Sequence, residues 1–192
     1  MPRKPEYDRD ALIDRARDLF WKQGWAGTSM KDLEQVLRLR PGSFYAAFGS
    51  KAALFKLALD RYAEGGAKRL DDLAQEHGAF GALQRHPALV VDASGETARA
   101  CMLAKTILEL GSQDEELAAH ADAHLSNMEK LFADLFRRAQ AEGHIGRTYD
   151  ADALARRYQS DLLGLRVSAE RDGVDAQAIA KEIADSLGRL ND

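Results

Sequence analysis

Apolar positions recur at helical spacing along almost the whole chain. In DRDALIDRARDLFWKQG, Leu12, Ala16, Leu19 and Phe20 fall at i, i+4, i+7 and i+8 and so share one helical face. Asp8 is placed to cap that helix and Gly24 to stop it. The next stripe, Met30, Leu33 and Leu37, begins after Thr28 and Ser29, where Ser29-x-x-Asp32 has the form of a capping box with Asp for Glu. Pro41 then suits a first helical position, and a short segment to Phe48 closes at Gly49. Ser50 opens a much longer stripe carrying Leu54, Phe55, Ala58 and Tyr62. Beyond residue 77 the pattern stays helical but is punctuated by Pro87 and Gly95. TARACMLAKTILEL is strongly apolar and ends at Gly111; a long segment follows with Leu117, Ala121, Leu125, Met128, Leu131 and Phe132 in register. Two further helical patterns, DADALARRYQSDLLGLRVSAERDG and DAQAIAKEIADSLGRL, close the chain. There is no hairpin signature, internal repeat or low-complexity stretch, so the expected fold class is all-α.

The short segment GSFYAAFGSK sets aromatic rings beside hydroxyls and a lysine. Two short helices, about 28–37 and 41–48, preceded by a longer one, make a helix-turn-helix arrangement. Phe44 and Phe48, four apart, face inward and anchor the second helix. Gly42, Ser43 and Tyr45, with Arg40 ahead and Lys51 behind, supply the small side chain, hydroxyls and cations that phosphate positioning requires.

Charge supports that reading only through its distribution. The 192 residues carry a net charge of −4, but residues 1–51 hold 10 Lys/Arg against 7 Asp/Glu, and residues 52–192 hold 17 against 24. A basic head on an acidic body attracts phosphate at one end. At 45% hydrophobic and 30% charged, the chain has a globular composition. No apolar run approaches the roughly 20 residues of a membrane span, and the N-terminus lacks a secretory apolar region. A single cysteine, Cys101, forms no internal disulfide, so a reducing, cytoplasmic setting is expected.

Residues 11–59 resemble the N-terminal domain of TetR-family transcriptional regulators, most specifically through G-x-x-x-T-S-M at 24–30 and G-S-F-Y-A-A-F-G-S-K at 42–51. The resemblance implies a three-helix DNA-binding head, residues 1–50, and a ligand-binding and dimerisation bundle, residues 51–192, with the helix from about residue 51 bridging the two. It also implies a homodimer bound to a double-stranded operator. By match to the motif, Thr28, Tyr45 and Lys51 are expected on phosphates, and Arg40, Pro41, Ser43 and Ala46 nearest base edges; Ser29, Arg38 and Gly42 complete the DNA-binding set. Three positions depart from the usual pattern. Arg38 stands where the turn usually carries Gly, at a steric cost of roughly 1–2 kcal/mol if the backbone is left-handed there. Arg40 stands where Ser or Thr is common, and Ala53 replaces a Glu that often follows.

In the body, Cys101 reads as a small buried apolar residue or as a thiol sensor of electrophiles or oxidants, with Arg99 and Lys105 as cationic neighbours. His120 and His124 are one turn apart, a spacing that holds zinc, but Asp122 points elsewhere and no third ligand is evident, so no metal site is assigned and no cofactor expected. Trp21 and Trp25 read most simply as core residues of the head. The effector pocket is expected between the long helix and 101–128, using Cys101, Met102, Lys105, Leu108, His120, His124 and Met128, with a small, largely apolar or aromatic effector. Gly65 and Gly66 are expected to kink the long helix. Leu162, Leu163 and Val167, then Ile179, Ile183 and Leu187, are expected at a four-helix dimer interface. The chain shows no HExxH, GxSxG, Walker A or glycine-rich dinucleotide motif, so an enzyme is not expected. The function expected is a repressor released from its operator by a small effector; the alternatives are a repressor that senses electrophiles or oxidants through Cys101 and a helical scaffold that no longer binds DNA.

Overall fold

The computed structural model describes residues 8–92 and 100–191, and Gly95 and Arg99 lie outside them. Among the described residues the chain forms eight helices and no strand: α1 Arg9–Gln23, α2 Met30–Leu37, α3 Pro41–Phe48, α4 Lys51–Asp92, α5 Met102–Leu110, α6 Glu115–Ala141, α7 Ala151–Ala169 and α8 Ala176–Leu187. The ends follow local chemistry. Asp8 Oδ1 accepts from the Asp10 and Ala11 amides, and the α1 chain stops at Gly24, φ 76°. Ser29, rather than Thr28, caps α2, and the Ser29–Asp32 capping box is formed in both directions. Pro41 opens α3, and Ser50 Oγ accepts from Ala53 N–H at the start of α4.

The long helix bends where the sequence did not lead us to expect it. Gly65 and Gly66 are helical, and the break falls at Gly78, φ 71° and ψ 174°. Adjacent glycines lower the cost of a kink, but a helix packed on both sides of them stays straight. Gly66 faces α6: a Cβ there would lie 3.4 Å from Met128 Cε, within ordinary contact distance.

Two apolar clusters organise the packing. One joins α1, α2, α3 and the first half of α4, through Phe20, Leu33, Phe44, Phe48 and Phe55, to Met102, Leu103 and Leu110 of α5 and Leu117 and Ala121 of α6. The head thus shares its core with the start of the bundle. The other cluster packs the part of α4 from Leu70 onward with the second half of α6, α7 and α8, around Phe132, Phe136 and Tyr158. Tyr158 fastens it by donating its buried hydroxyl to Leu83 O at 2.7 Å.

Candidate functional site

The outer face of α3 is built by what its inner face buries. Phe44 is fully buried and Phe48 nearly so, with ring centroids 5.7 Å apart. That leaves Pro41, Gly42, Ser43, Tyr45 and Ala46 exposed, flanked by exposed Arg38 and Arg40. Tyr45 is 53% exposed, and its ring is set edge-on against Phe44 at 5.5 Å, so the inner anchor orients the outer residue. No side chain caps α3. Pro41 has no N–H, so the exposed amides of Gly42 and Ser43 are uncapped donors at the positive end of the helix dipole. A Cβ on Gly42 would meet nothing within 4 Å, so no internal contact demands glycine there.

Arg38 adopts the left-handed conformation, φ 54° and ψ 39°, the one positive-φ non-glycine residue among those described. Its turn is closed by Leu39 N–H donating to Glu34 O at 3.1 Å. Ser29 is exposed, but its hydroxyl donates to Asp32 Oδ2 at 2.6 Å and accepts from the Asp32 amide. These bonds from Ser29 hold the Asp32 carboxyl below its usual range. Thr28 corrects the sequence-based expectation of a phosphate contact. It is 1% exposed and its hydroxyl donates to Gly24 O at 2.7 Å, so it fixes the α1–α2 turn and presents no surface. Lys51 lies over the Trp25 ring, 4.1 Å from its centroid, and donates to Trp25 O at 2.7 Å. Burial lowers its pKa, and Glu109 works in the opposite direction.

A second feature lies in the bundle. A cavity of about 80 Å³ is walled by Tyr62, Gly66 and Arg69 of α4, His86 and Val90 beyond its bend, Cys101 and Leu103, Leu125, Met128 and Phe132 of α6, and Gln159, Leu162, Leu163 and Arg166 of α7. One water needs roughly 10–15 Å³ by this measure, so the space suits a small organic molecule. Its wall is mostly apolar, yet two buried polar atoms on it, His86 Nδ1 and Gln159 Oε1, have no hydrogen-bond partner. The Gln159 amide nitrogen donates to Leu125 O at 3.1 Å, which fixes which end of that amide faces the gap. Burial pushes the His86 pKa down to about 3, aided by Arg166 and Arg69. Burial, with a smaller contribution from its neighbour Cys101, also pushes the Tyr62 phenol up. Arg69 and Arg166 both line the cavity.

The cavity and the head are joined by α5. Cys101, its N-cap residue, borders the cavity. Trp21 Nε1 donates to Ala100 O at 2.6 Å, and Lys105 Nζ donates to Trp21 O at 2.8 Å. At the far end of α5, the Glu109 carboxylate accepts from the Trp25 amide at 3.0 Å and the Ala26 amide at 2.7 Å. Gly24 beside it is favoured by its positive φ of 76°, and a Cβ there would also lie 2.9 Å from Glu109 Oε2. Trp21 and Trp25 therefore belong to the seam between head and bundle as well as to the core.

Residues 12–58 match the family described as bacterial regulatory proteins, tetR family, and residues 88–181 match the tetracyclin repressor-like C-terminal domain. A cysteine mutant of the TetR family transcriptional regulator CifR, complexed with 26-bp double-strand operator DNA, is 30% identical to this chain, with a TM-score of 0.81 over 97% of this chain and 98% of that one. The chain belongs to the TetR family. The HTH-type transcriptional repressor ComR of Escherichia coli (strain K12) is 27% identical over 188 residues, 96% of this chain and 89% of ComR. A TetR-family regulator from Cytophaga hutchinsonii, 21% identical, shares the fold with a TM-score of 0.83 over 95% of this chain and 94% of its own. This TetR-family protein is thus a DNA-binding transcriptional regulator with a helix-turn-helix head and a helical bundle. No helix among the described residues is long and apolar enough to cross a membrane.

The bundle corrects several residue expectations. Of those expected in the effector pocket, Cys101 and Met128 line the cavity. Met102 is 2% exposed and packs toward the head, Lys105 is held by Trp21 O, and Leu108 is 87% exposed. His120 and His124 do not line the cavity but bond to Asp60. Lys105 is thus not available to the thiol in the way that sequence proximity suggested. Of those expected at a dimer interface, Leu162 and Leu187 are buried in their own chain and Leu163 borders the cavity. Ile179 and Ile183 pack partly against the same core, and Val167 remains exposed. Sequence reasoning missed Tyr62, Arg69, His86, Gln159 and Arg166. They come from three separate segments, and no local pattern signals their convergence.

Proposed function

We propose that this TetR-family regulator is a repressor that leaves its operator when a small, largely apolar molecule carrying a hydrogen-bond donor fills the bundle cavity. The observation that carries this reading is α5, which begins at the cavity wall with Cys101 and ends with Glu109 clamped on the turn before α2. A ligand that pushes on Cys101 and Leu103 moves the clamp, and with it the spacing of the heads. The unpartnered Gln159 Oε1 asks for a hydroxyl or N–H donor, and the apolar walls ask for a hydrocarbon or aromatic body. On the DNA side, Arg40, Pro41, Ser43 and Ala46 read base edges, while Tyr45, Lys51 and the amides of Gly42 and Ser43 hold phosphates. Arg38 adds a cation beside them.

The test is release of a labelled operator by a panel of small apolar or aromatic alcohols and their methyl ethers. A typical coupling is about 5–150-fold in operator affinity. Alcohols that act where their ethers do not, with the difference lost in Gln159→Leu, support the reading; equal action of alcohols and ethers overturns it. Cys101 supports a second reading, because its thiol borders the same cavity beside the Tyr62 phenol. An electrophile entering the cavity would then act covalently, and Cys101→Ser would abolish only that response. We also propose a homodimer through α7 and α8. Val167 is 58% exposed, and a Cβ on exposed Gly164 would meet nothing within 4 Å, so this face of α7 is open to a second copy. A monomer mass by sedimentation at micromolar concentration would overturn it.

A further inference from the structure

His120 and His124 stand one turn apart on α6, and the fold brings to them a residue that lies 60 positions upstream. Each ring sets Nε2 2.7 Å from the same atom, Asp60 Oδ1 of α4. The two rings meet edge to face at 5.0 Å. One donor atom from each of the three residues lies within 4.8 Å of the other two. The side chains are 32%, 22% and 36% exposed, partly sheltered yet reachable from solvent.

Two imidazoles and one carboxylate form a donor set suited to divalent first-row transition ions, whereas Mg²⁺ and Ca²⁺ prefer oxygen ligands throughout. The i, i+4 spacing supplies two nitrogens from one rigid helix, and α4 supplies the oxygen from across the seam. We propose that Asp60, His120 and His124 bind one divalent transition ion per chain, with Zn²⁺ as the reference ion and the fourth position left to water. With bonds of about 2.0–2.1 Å, tetrahedral ligand atoms stand about 3.3 Å apart, so the observed hydrogen-bonded cluster opens by about 0.6 Å to admit the ion. In the metal-free protein each neutral ring donates Nε2–H to Asp60. On binding, the Nε2 lone pair takes the metal and the ring carries its proton on Nδ1, a change of tautomer with no loss of a proton from the ring.

The position gives the ion something to act on. The Lys56–Glu116 ion pair lies one turn toward the N-termini of both helices, and the Gly66–Met128 contact at the cavity lies on the other side. Leu54, Phe55, Ala58 and Leu59, just upstream of Asp60, belong to the core of the head. An ion here ties the head-bearing end of α4 to α6, next to the cavity.

The experiment uses the full-length protein stripped with a chelator. Zn²⁺ is titrated against a chromophoric competitor, and Co²⁺ is added separately for the visible absorption of a tetrahedral site. One ion per chain is expected, with a rise in Tm on saturation. Asp60→Asn and His124→Asn should weaken binding by more than the roughly 10–100-fold seen when an outer-shell partner is lost, while His77→Asn and His144→Asn should not. In the wild type alone, Zn²⁺ should protect His120 and His124, but not His77 or His144, from acylation by diethyl pyrocarbonate. This needs no variant to fold. Absence of a saturable site, binding unchanged in Asp60→Asn and His124→Asn, or protection of all four histidines alike would overturn the proposal.

Discussion

Replacing Glu109 with Ala cuts the contact between α5 and the turn that leads into the helix-turn-helix. The carboxylate receives two backbone amides, Trp25 at 3.0 Å and Ala26 at 2.7 Å. A hydrogen bond to a charged group contributes about 1.5–3 kcal/mol net. The two do not count equally. Ala26 is exposed, so its amide recovers water when the carboxylate is removed. Trp25 is half-buried between Phe55 and the Lys51 ammonium, so its amide recovers water less easily. The expected loss is therefore about 2–3 kcal/mol, well short of the sum of two full bonds. For a chain of this length, at about 2–4 °C per kcal/mol, that lowers Tm by roughly 5–10 °C. Glu109→Gln keeps one acceptor oxygen without the charge and should show about half the loss. Thermal and urea denaturation give the stability, and amide hydrogen exchange at Trp25 and Ala26 localises the change. A Glu109→Ala protein with Tm within about 1 °C of the wild type and unchanged protection at both amides would refute the view that α5 holds the head through this residue.

Three further outcomes follow from the same structure. His86 is buried and neutral, with its pKa pushed down to about 3, so the unfolded state binds the extra proton between pH 6.5 and 3. Stability is therefore fully present above pH 6.5 and falls by about 1.4 kcal/mol per pH unit below it; urea midpoints from pH 7.5 to 5 should show this slope, and His86→Leu should remove that part of it. Arg38→Gly relieves the left-handed strain at φ 54° and should raise stability by about 1 kcal/mol, while loss of the cation weakens operator binding and reduces its salt slope by about 1; a salt titration of binding checks both the sign and the slope. Tyr158→Phe leaves the buried Leu83 carbonyl without its 2.7 Å partner and should cost about 1–2 kcal/mol in urea denaturation, with operator specificity unchanged.

The local features of this protein were legible in its residues because each rests on neighbours in sequence. Helical period placed Phe44 and Phe48 inward, which exposes the opposite face of α3. The Ser29–Asp32 capping box and the stop at Gly24 depend on three or four adjacent residues and needed no tertiary contact to be anticipated, whereas the left-handed turn at Arg38 was suggested only by the family resemblance. The resemblance in residues 11–59 added the family, and the fold and the comparisons agree with it. What escaped the sequence is whatever depends on which segments meet. Thr28 matches the motif, yet the turn folds its hydroxyl onto Gly24 O. Gly65 and Gly66 look like a hinge, but both stay helical and the chain bends at Gly78 instead. His120 and His124 lacked a third partner until α4 delivered Asp60, and the stripe through Leu162 and Leu187 turned inward onto its own core. Periodicity states that a helix has an apolar face. Only the tertiary structure decides whether that face meets its own bundle, a ligand or a second chain, because the free energy of burying it is nearly the same in all three cases.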